Sequence, residues 1–173
     1  NLYFEHYDDD NLELKLTNFF KHVEVAKNRQ GKLIVIDGGD GSGKATQSEI
    51  LIKYLKEKGI PVKYVDFPRY YSSFHGKMVG RYLKGEFGGV EVSPYLVSLA
   101  YAIDRAGTRE EINNWLLRGG IVLANRYTPS SLAYMSAKIK KGKEREEFVS
   151  WLEELEYRIH RMPKEDLLLY LDV

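Results

Sequence analysis

Leu33 to Thr46 reads LIVIDGGDGSGKAT. Leu33 to Ile36 is an uninterrupted apolar run bounded by turn signals, the pattern of a strand buried on both faces of a parallel sheet. Gly38, Gly39, Asp40, Gly41, Ser42, Gly43 and Lys44 follow, and a helical pattern begins near Thr46. The spacing from Gly38 to Gly43 and Lys44 fits G-x-x-x-x-G-K. Small residues let the chain curl so that several backbone N–H groups converge on phosphate oxygens, and the helix N-terminus adds about half a positive charge. Lys44 then reaches the β and γ phosphates. An ordinary glycine-rich strand-to-helix turn is the bland alternative, and the ordered succession of strand, loop, lysine and helix weighs against it. The hydroxyl residue that usually follows the lysine and holds Mg²⁺ is Ala45 here; Thr46 is one residue late.

The 173 residues suffice for one domain with a substantial core, or one domain with an appendage. With 26 basic and 25 acidic residues, the net charge of +1 sets up no field for a nucleic-acid polymer. No cysteine is present, which excludes disulfides, thiolate catalysis and Cys-ligated zinc. No apolar run approaches the roughly 18 residues a membrane span needs, and no signal-peptide pattern occurs. A soluble, cytoplasmic protein is expected.

Outward from the glycine loop, Ile50, Leu51, Tyr54 and Leu55 form a helical stripe that Gly59 stops, and Pro61 opens a strand over Val62 to Phe67. The resulting βαβ unit requires a parallel sheet. Arg69 lies just past the carboxyl end of that strand, where open α/β sheets bind ligands. A short helix is expected over Gly76 to Leu83, then a loop from Lys84 to Val92. Ser93 and Pro94 suit the start of a long helix through Asp104 and Arg105. Another helix spans Thr108 to Arg118, and a third buried strand, Ile121 to Ala124, delivers Asn125, Arg126 and Tyr127 to its carboxyl end. Ser130 to Ala137 reads as helix, and Lys138 to Arg145 (KIKKGKER) as a basic interruption. An amphipathic helix over Glu146 to Arg161 and a fourth strand, Leu167 to Val173, close the chain. In the other direction, Asn1 to Phe4 (NLYF) resembles part of a protease-cleavage tag. Leu12, Leu16, Phe19, Phe20 and Val23 suggest an amphipathic helix. Residues 1–30 are therefore expected to form an extension to a domain at 31–173.

DGSGK (Asp40 to Lys44), FPRY (Phe67 to Tyr70), AIDRAG (Ala102 to Gly107) and NRYTPSSLAY (Asn125 to Tyr134) resemble, in order and spacing, the thymidylate (dTMP) kinase family. The resemblance runs from Lys32 to Val173. It implies an α/β fold, a three-layer α/β/α P-loop kinase with a central parallel sheet flanked by helices. It implies ATP-dependent phosphorylation of dTMP to dTDP with Mg²⁺, in a homodimer associating through helices such as Val92 to Ile103. Family members usually continue past the LDV strand into a loop that contacts adenine and a final helix, which this sequence is expected to lack.

By the same resemblance, Gly38, Gly41, Ser42, Gly43, Lys44, Ala45 and Thr46 would hold ATP. Asp40 would face the sugar 3′-hydroxyl or a nearby metal. Arg69, with Phe67 beside it, would bind the acceptor phosphate, its planar fork gripping two oxygens. Arg126 would face the phosphates, Tyr101 would stack on thymine, and Arg105 would bond the base's carbonyl edge from one turn along the same helix face. Ser131 would bond the ring-nitrogen edge, and Tyr134 would crowd the sugar 2′ position. Each has a plainer alternative: a turn arginine for Arg69, a helix-end salt bridge for Arg126, core packing for Tyr101 and Tyr134, an acidic turn residue for Asp40.

Two positions depart from the family besides Ala45. Asn125 stands where an aspartate is usual, and Gly41 where some members carry an arginine. With Gly41 the cation over the transferred phosphoryl must come from elsewhere. The basic segment around Lys141, Lys143 and Arg145, acting as a lid, is the expected source, with Arg145 as the residue and Arg158 in reserve. A solvated charge run is its alternative. Two other functions stay open: a kinase with another pyrimidine monophosphate or a deoxynucleoside as acceptor, and a nucleotide-binding module without efficient turnover.

Overall fold

The structure, a computed structural model, describes residues 31–88, 92–140 and 142–172. The tag-like segment and the expected N-terminal helix lie outside the described residues. The elements run β1 (Lys32–Gly38), α1 (Lys44–Glu57), β2 (Val62–Asp66), α2 (Phe74–Leu83), α3 (Pro94–Ala106), α4 (Arg109–Leu117), β3 (Ile121–Asn125), α5 (Thr128–Ser136), α6 (Lys143–Glu153), a π-helical turn (Glu154–Ile159) and β4 (Leu167–Leu171). The fold is α/β. No helix among the described residues is long and apolar enough to cross a membrane.

The chain divides into two compact units. The first takes the described residues up to Val65, Ile112–Asn125, and those from Glu165 on; the second takes Asp66–Glu111 and Arg126–Lys164. The first unit carries a four-stranded sheet in the order β2-β3-β1-β4. β1 pairs in parallel with β3 (Ile34 beside Leu123, Ile36 beside Asn125) and with β4 (Ile34 beside Leu167). Successive side chains point to opposite faces. On one face Ile34, Ile36, Ile121, Leu123 and Leu169 pack against Leu51 and Leu55 of α1. On the other, Leu33, Val35, Val122 and Ala124 are buried just as completely. Burial on both faces is why β1 and β3 read as unbroken apolar runs; each such side chain contributes about 1.5–3 kcal/mol. Gly120 closes the α4–β3 corner, where a Cβ would stand 2.4 Å from the Trp115 indole nitrogen.

The second unit is helical. Val97 of α3, Met135 of α5, Ile139, and Phe148 and Leu152 of α6 form its core. Tyr95 meets Phe148 edge-on at 5.0 Å and lies 4.7 Å from Trp151, geometries that aromatic quadrupoles favour.

Several boundaries differ from the sequence reading. α1 begins at Lys44, two residues early, because Gly43 adopts a left-handed φ of 82° and serves as N-cap. α2 begins at Phe74 because the Ser73 hydroxyl accepts the Gly76 N–H at 2.7 Å. Ser93 and Pro94 do stand at the N-cap and first turn of α3, but the serine side chain makes no capping bond. α5 begins at Thr128, with Pro129 in its first turn. α6 begins at Lys143: Gly142 turns the chain with φ 116°, and Glu144 and Glu146 sit in the first turn, where the helix dipole favours acids. Lys143 and Arg145 are therefore helical and not part of a basic loop; Lys141 lies outside the described residues. The single helix expected to Arg161 instead widens into the π turn at Glu154.

Candidate functional site

In the sheet unit the loop between β1 and α1 is shaped by glycines. Gly41 and Gly43 take φ values of 83° and 82°, a region L side chains avoid. The Lys44 ammonium is buried; it donates to the Gly38 carbonyl at 3.0 Å and to the Gly39 carbonyl, and lies 3.5 Å from the Ser42 hydroxyl. Asp40 stands exposed in the loop, as do Ala45 and Thr46 at the start of α1. Asp37 is buried and accepts the Gly38 N–H at 2.8 Å. Asn125, beside Ile36 in the sheet, presents a buried Oδ1 with no hydrogen-bond partner among the described residues.

In the helical unit Arg69 is held from three directions. Its backbone N–H donates to Asp104 Oδ2 at 2.9 Å, its Nε to Asp104 Oδ1 at 3.2 Å, and its Nη2 to the Asp104 carbonyl at 2.6 Å. The Asp104 carboxylate is 1% exposed, the Arg69 side chain 24%. Asp104 also accepts the Ser73 hydroxyl, which ties it to the start of α2. Two glycines make room: a Cβ at Gly76 would lie 2.2 Å from the Arg69 carbonyl oxygen, and one at Gly107 would lie 2.8 Å from Nη2.

Arg105, 2% exposed, lies deeper. Its Nε donates to Glu156 Oε1 at 2.8 Å, and its Nη2 to the same oxygen and to Ser131 Oγ at 2.9 Å. Nη1 of Arg69 and Nη1 of Arg105 make no hydrogen bond among the described residues. Tyr101, one turn before Arg105 on α3, has its phenol pushed up to about 12. Burial is the main cause, neighbouring Tyr70 and Tyr82 add to it, and Arg105 and Arg126 pull the other way. The ring is therefore neutral at ordinary pH. Arg126 takes a left-handed φ of 61° immediately after β3, a conformation that costs a non-glycine residue on the order of 1–2 kcal/mol. Its guanidinium lies 5.3 Å from the centre of the Tyr134 ring. Phe67 is buried, 6.0 Å from the Tyr127 ring.

Of the residues singled out from sequence, Phe67, Arg69, Tyr101, Arg105, Arg126, Ser131 and Tyr134 thus belong to the helical unit, and Gly38 to Thr46 to the sheet unit. Arg105 and Ser131 are in direct contact, and Arg126 with Tyr134. Arg145 donates through Nε to the Ile139 carbonyl at 3.1 Å, and Arg158 pairs with Glu154. Sequence reasoning passed over Asp104 and Glu156, which orient two of the arginines. The available signal for Glu156 was its place four residues beyond Leu152 and eight beyond Phe148, a carboxylate in line with a buried apolar stripe.

Among the described residues no three His, Cys, Asp or Glu side chains cluster to hold a metal ion. With Ala45 lacking a hydroxyl and Asn125 uncharged, the described residues offer no protein cage. Magnesium tolerates this, because it commonly keeps several waters and is bound largely through substrate phosphates. The unpartnered Asn125 Oδ1 fits the proton of a metal-bound water.

A glycine loop joining a parallel strand to a helix, with a buried lysine folded into it, defines a P-loop nucleotide-binding fold. Within that class, the family model described as thymidylate kinase matches residues 36–173, and the chain belongs to the thymidylate kinase family. It is 36% identical over 115 residues to a thymidylate kinase of Plasmodium falciparum, covering 66% of this chain and 53% of that one. It is 33% identical over 142 residues to a thymidylate kinase of Mycobacterium tuberculosis, covering 82% and 65%. A solved thymidylate kinase from Candida albicans, described as having broad substrate specificity, superposes with a TM-score of 0.66 at 30% identity, covering 83% of this chain and 63% of that one. The chain thus spans between about half and two thirds of the length of the relatives it matches.

Proposed function

We propose that the protein transfers the γ-phosphoryl group of ATP to the phosphate of dTMP, giving dTDP and ADP. The observation that carries this reading is the equipment of the helical unit. It pairs a fixed, partly exposed arginine suited to a phosphate with a buried arginine beside a neutral tyrosine suited to a base. Arg69 grips the acceptor phosphate through its remaining edge, with Phe67 two residues before it lining the acceptor site. Tyr101 stacks on thymine, Arg105 and Ser131 bond its polar edge, and Tyr134 disfavours a 2′-hydroxyl. Gly38, Gly41, Ser42, Gly43, Lys44, Ala45 and Thr46 wrap the ATP phosphates, and Asp40 faces the sugar or the metal.

In the transfer, an oxygen of the dTMP phosphate attacks the γ-phosphorus. The bond from that phosphorus to the β–γ bridging oxygen breaks, and ADP leaves with the electron pair. Little covalent chemistry falls to the protein; alignment and charge stabilisation do most of the work. Asn125 and Asp40 would face the waters of a Mg²⁺ ion bound with the nucleotide, and that ion would supply charge neutralisation. Lys44, Arg69 and Arg126 supply the rest, and Arg145 joins them on exchanging the Ile139 carbonyl for the nucleotide, with Arg158 in reserve. Two copies of the chain associate through α3, whose Leu96 and Ile103 are exposed.

Ala45 and Asn125 favour a second reading, a nucleotide-binding module with weak turnover. The broad specificity described for the Candida relative keeps other pyrimidine monophosphates in play. A coupled ADP-release assay with ATP and Mg²⁺ across dTMP, dUMP, dCMP and thymidine separates these. Saturable release strongest with dTMP is expected. ATP binding without release for any acceptor overturns the kinase reading, and stronger release with dCMP overturns the choice of base.

A further inference from the structure

We propose that Glu156 is a positioning residue for acceptor recognition: through the π turn it holds Arg105 side-on, so that only Nη1 is left to read the base. This rests on the acceptor reading above and adds a residue to it.

The contact is not a symmetric ion pair. A guanidinium and a carboxylate that stabilise only each other adopt two parallel bonds, one nitrogen to each oxygen. Here Nε and Nη2 both converge on Oε1, Ser131 takes a further bond from Nη2, and Oε2 is left buried with no partner among the described residues. Orphaned buried acceptors are rare in folded proteins and call for an explanation. An arrangement that uses up one edge of the arginine with a single oxygen fixes the plane and rotation of the guanidinium. It leaves Nη1 as the one donor for a ligand, and every group in it is at least nine-tenths buried.

The backbone is built for the same end. Phe148 and Leu152 continue at a spacing of four into Glu156, so the carboxylate enters the interior on the apolar face of α6. At that point the helix widens: the His160 N–H donates to the Leu155 carbonyl at 2.8 Å, five residues back, and the Met162 N–H to the Glu156 carbonyl at 3.0 Å. Such turns insert a residue into the helical repeat, re-aiming what they carry, and recur at functional sites.

A fixed donor matters for the choice of base. Thymine offers a carbonyl at position 4 and accepts from Nη1; cytosine offers an amino group there, donor against donor. Discrimination of this kind depends on the arginine not rotating to present another edge. Glu156→Gln keeps the volume and one oxygen but removes the charge and lets the amide flip, so Arg105 loses its fixed orientation.

The test measures dTMP and dCMP affinity by titration calorimetry and steady-state kinetics on the whole chain, for wild type, Glu156→Gln, Arg105→Gln and the double variant. Glu156→Gln is expected to raise the KM and Kd for dTMP about tenfold, to lower the dTMP-over-dCMP preference by a similar factor, and to move the KM for ATP less than twofold. In the double variant the Glu156 change is expected to add nothing to Arg105→Gln, since it acts through that arginine. The double variant also removes both buried charges together, which keeps the comparison available if the single variant does not fold. Unchanged dTMP affinity and base preference in Glu156→Gln overturns the proposal, as does an additive effect in the double variant. A wild-type protein that binds neither nucleotide overturns the acceptor reading itself, a result distinct from both.

Discussion

Replacing Asp104 by asparagine tests how Arg69 is held. The wild-type carboxylate accepts the Arg69 backbone N–H and Nε and the Ser73 hydroxyl, so three donors converge on two oxygens. An amide offers one oxygen, and turns its NH₂ toward a guanidinium that can only donate. Removing one member of a buried pair costs about 3–5 kcal/mol when the surviving charge is fully desolvated. Arg69 keeps 24% of its side-chain surface, so water recovers part of that, and about 2 kcal/mol is expected. For a chain of this length that lowers Tm by roughly 4–8 °C. The effect on transfer is larger in relative terms. Arg69 loses the contact that sets its rotation, and if it aligns the acceptor as proposed, a displacement of about 1 Å lowers the rate about a hundredfold. The assay pairs thermal unfolding with kcat/KM for dTMP at saturating ATP. A variant that melts several degrees lower yet keeps kcat/KM within about threefold would falsify the view that Asp104 aims Arg69. One that keeps both its Tm and its rate removes the energetic reasoning as well.

Gly107→Ala separates the two effects: its Cβ meets Arg69 Nη2 at 2.8 Å while its own helical φ of −63° suits alanine. Stability is expected within about 1 kcal/mol of wild type, with dTMP turnover reduced at least tenfold; normal turnover shows that Arg69 tolerates displacement. Phe148→Ala empties the centre of the helical core and is expected to cost about 3–5 kcal/mol in denaturant unfolding; a loss under about 1.5 kcal/mol contradicts the packing described. Tyr101 gives a pH signature. Its phenol ionises near 10.0 unfolded and about 12 folded, so above pH 10 the unfolded chain sheds a proton that the folded chain keeps. Its stabilising contribution is therefore complete below pH 10 and is lost as pH rises to 12, by at most about 1.4 kcal/mol per unit. Tyr101→Phe should flatten that slope, and equal slopes in the two proteins exclude Tyr101 as its source.

What was legible in the sequence had local causes. The run from Leu33 to Ile36 is apolar throughout because both faces of the sheet are buried, and the glycines after it are needed for backbone angles that other residues avoid. Arg69 could be placed because β2 ends three residues before it. What was not legible depended on partners far along the chain. Asp104 lies 35 residues from Arg69, and Glu156 lies 51 from Arg105; neither spacing leaves a trace in periodicity. Of the basic interruption expected from Lys138 to Arg145, residues 138–140 and Gly142 do lie between helices, and only residues 143–145 belong to α6. Glu144 and Glu146 suit the first turn of α6. Neither glycine nor proline marks the π turn, whose residues read ELEYRI.

The two pairings share a logic that stability alone does not explain. Burying an ion pair costs desolvation that its attraction often fails to recover, and an apolar pair of the same volume is frequently as stable or more so. The helical unit nevertheless commits two carboxylates, Asp104 and Glu156, to almost complete burial beside Arg69 and Arg105. On the function proposed above, their benefit lies in orientation. A free arginine loses several rotatable bonds' worth of freedom on gripping a ligand, whereas one already fixed has met that cost during folding and binds with more of its interaction energy intact. On this account each carboxylate should matter more to acceptor affinity than to Tm. The order of effects across Asp104→Asn, Gly107→Ala and Glu156→Gln is then a single test of pre-organisation at three positions.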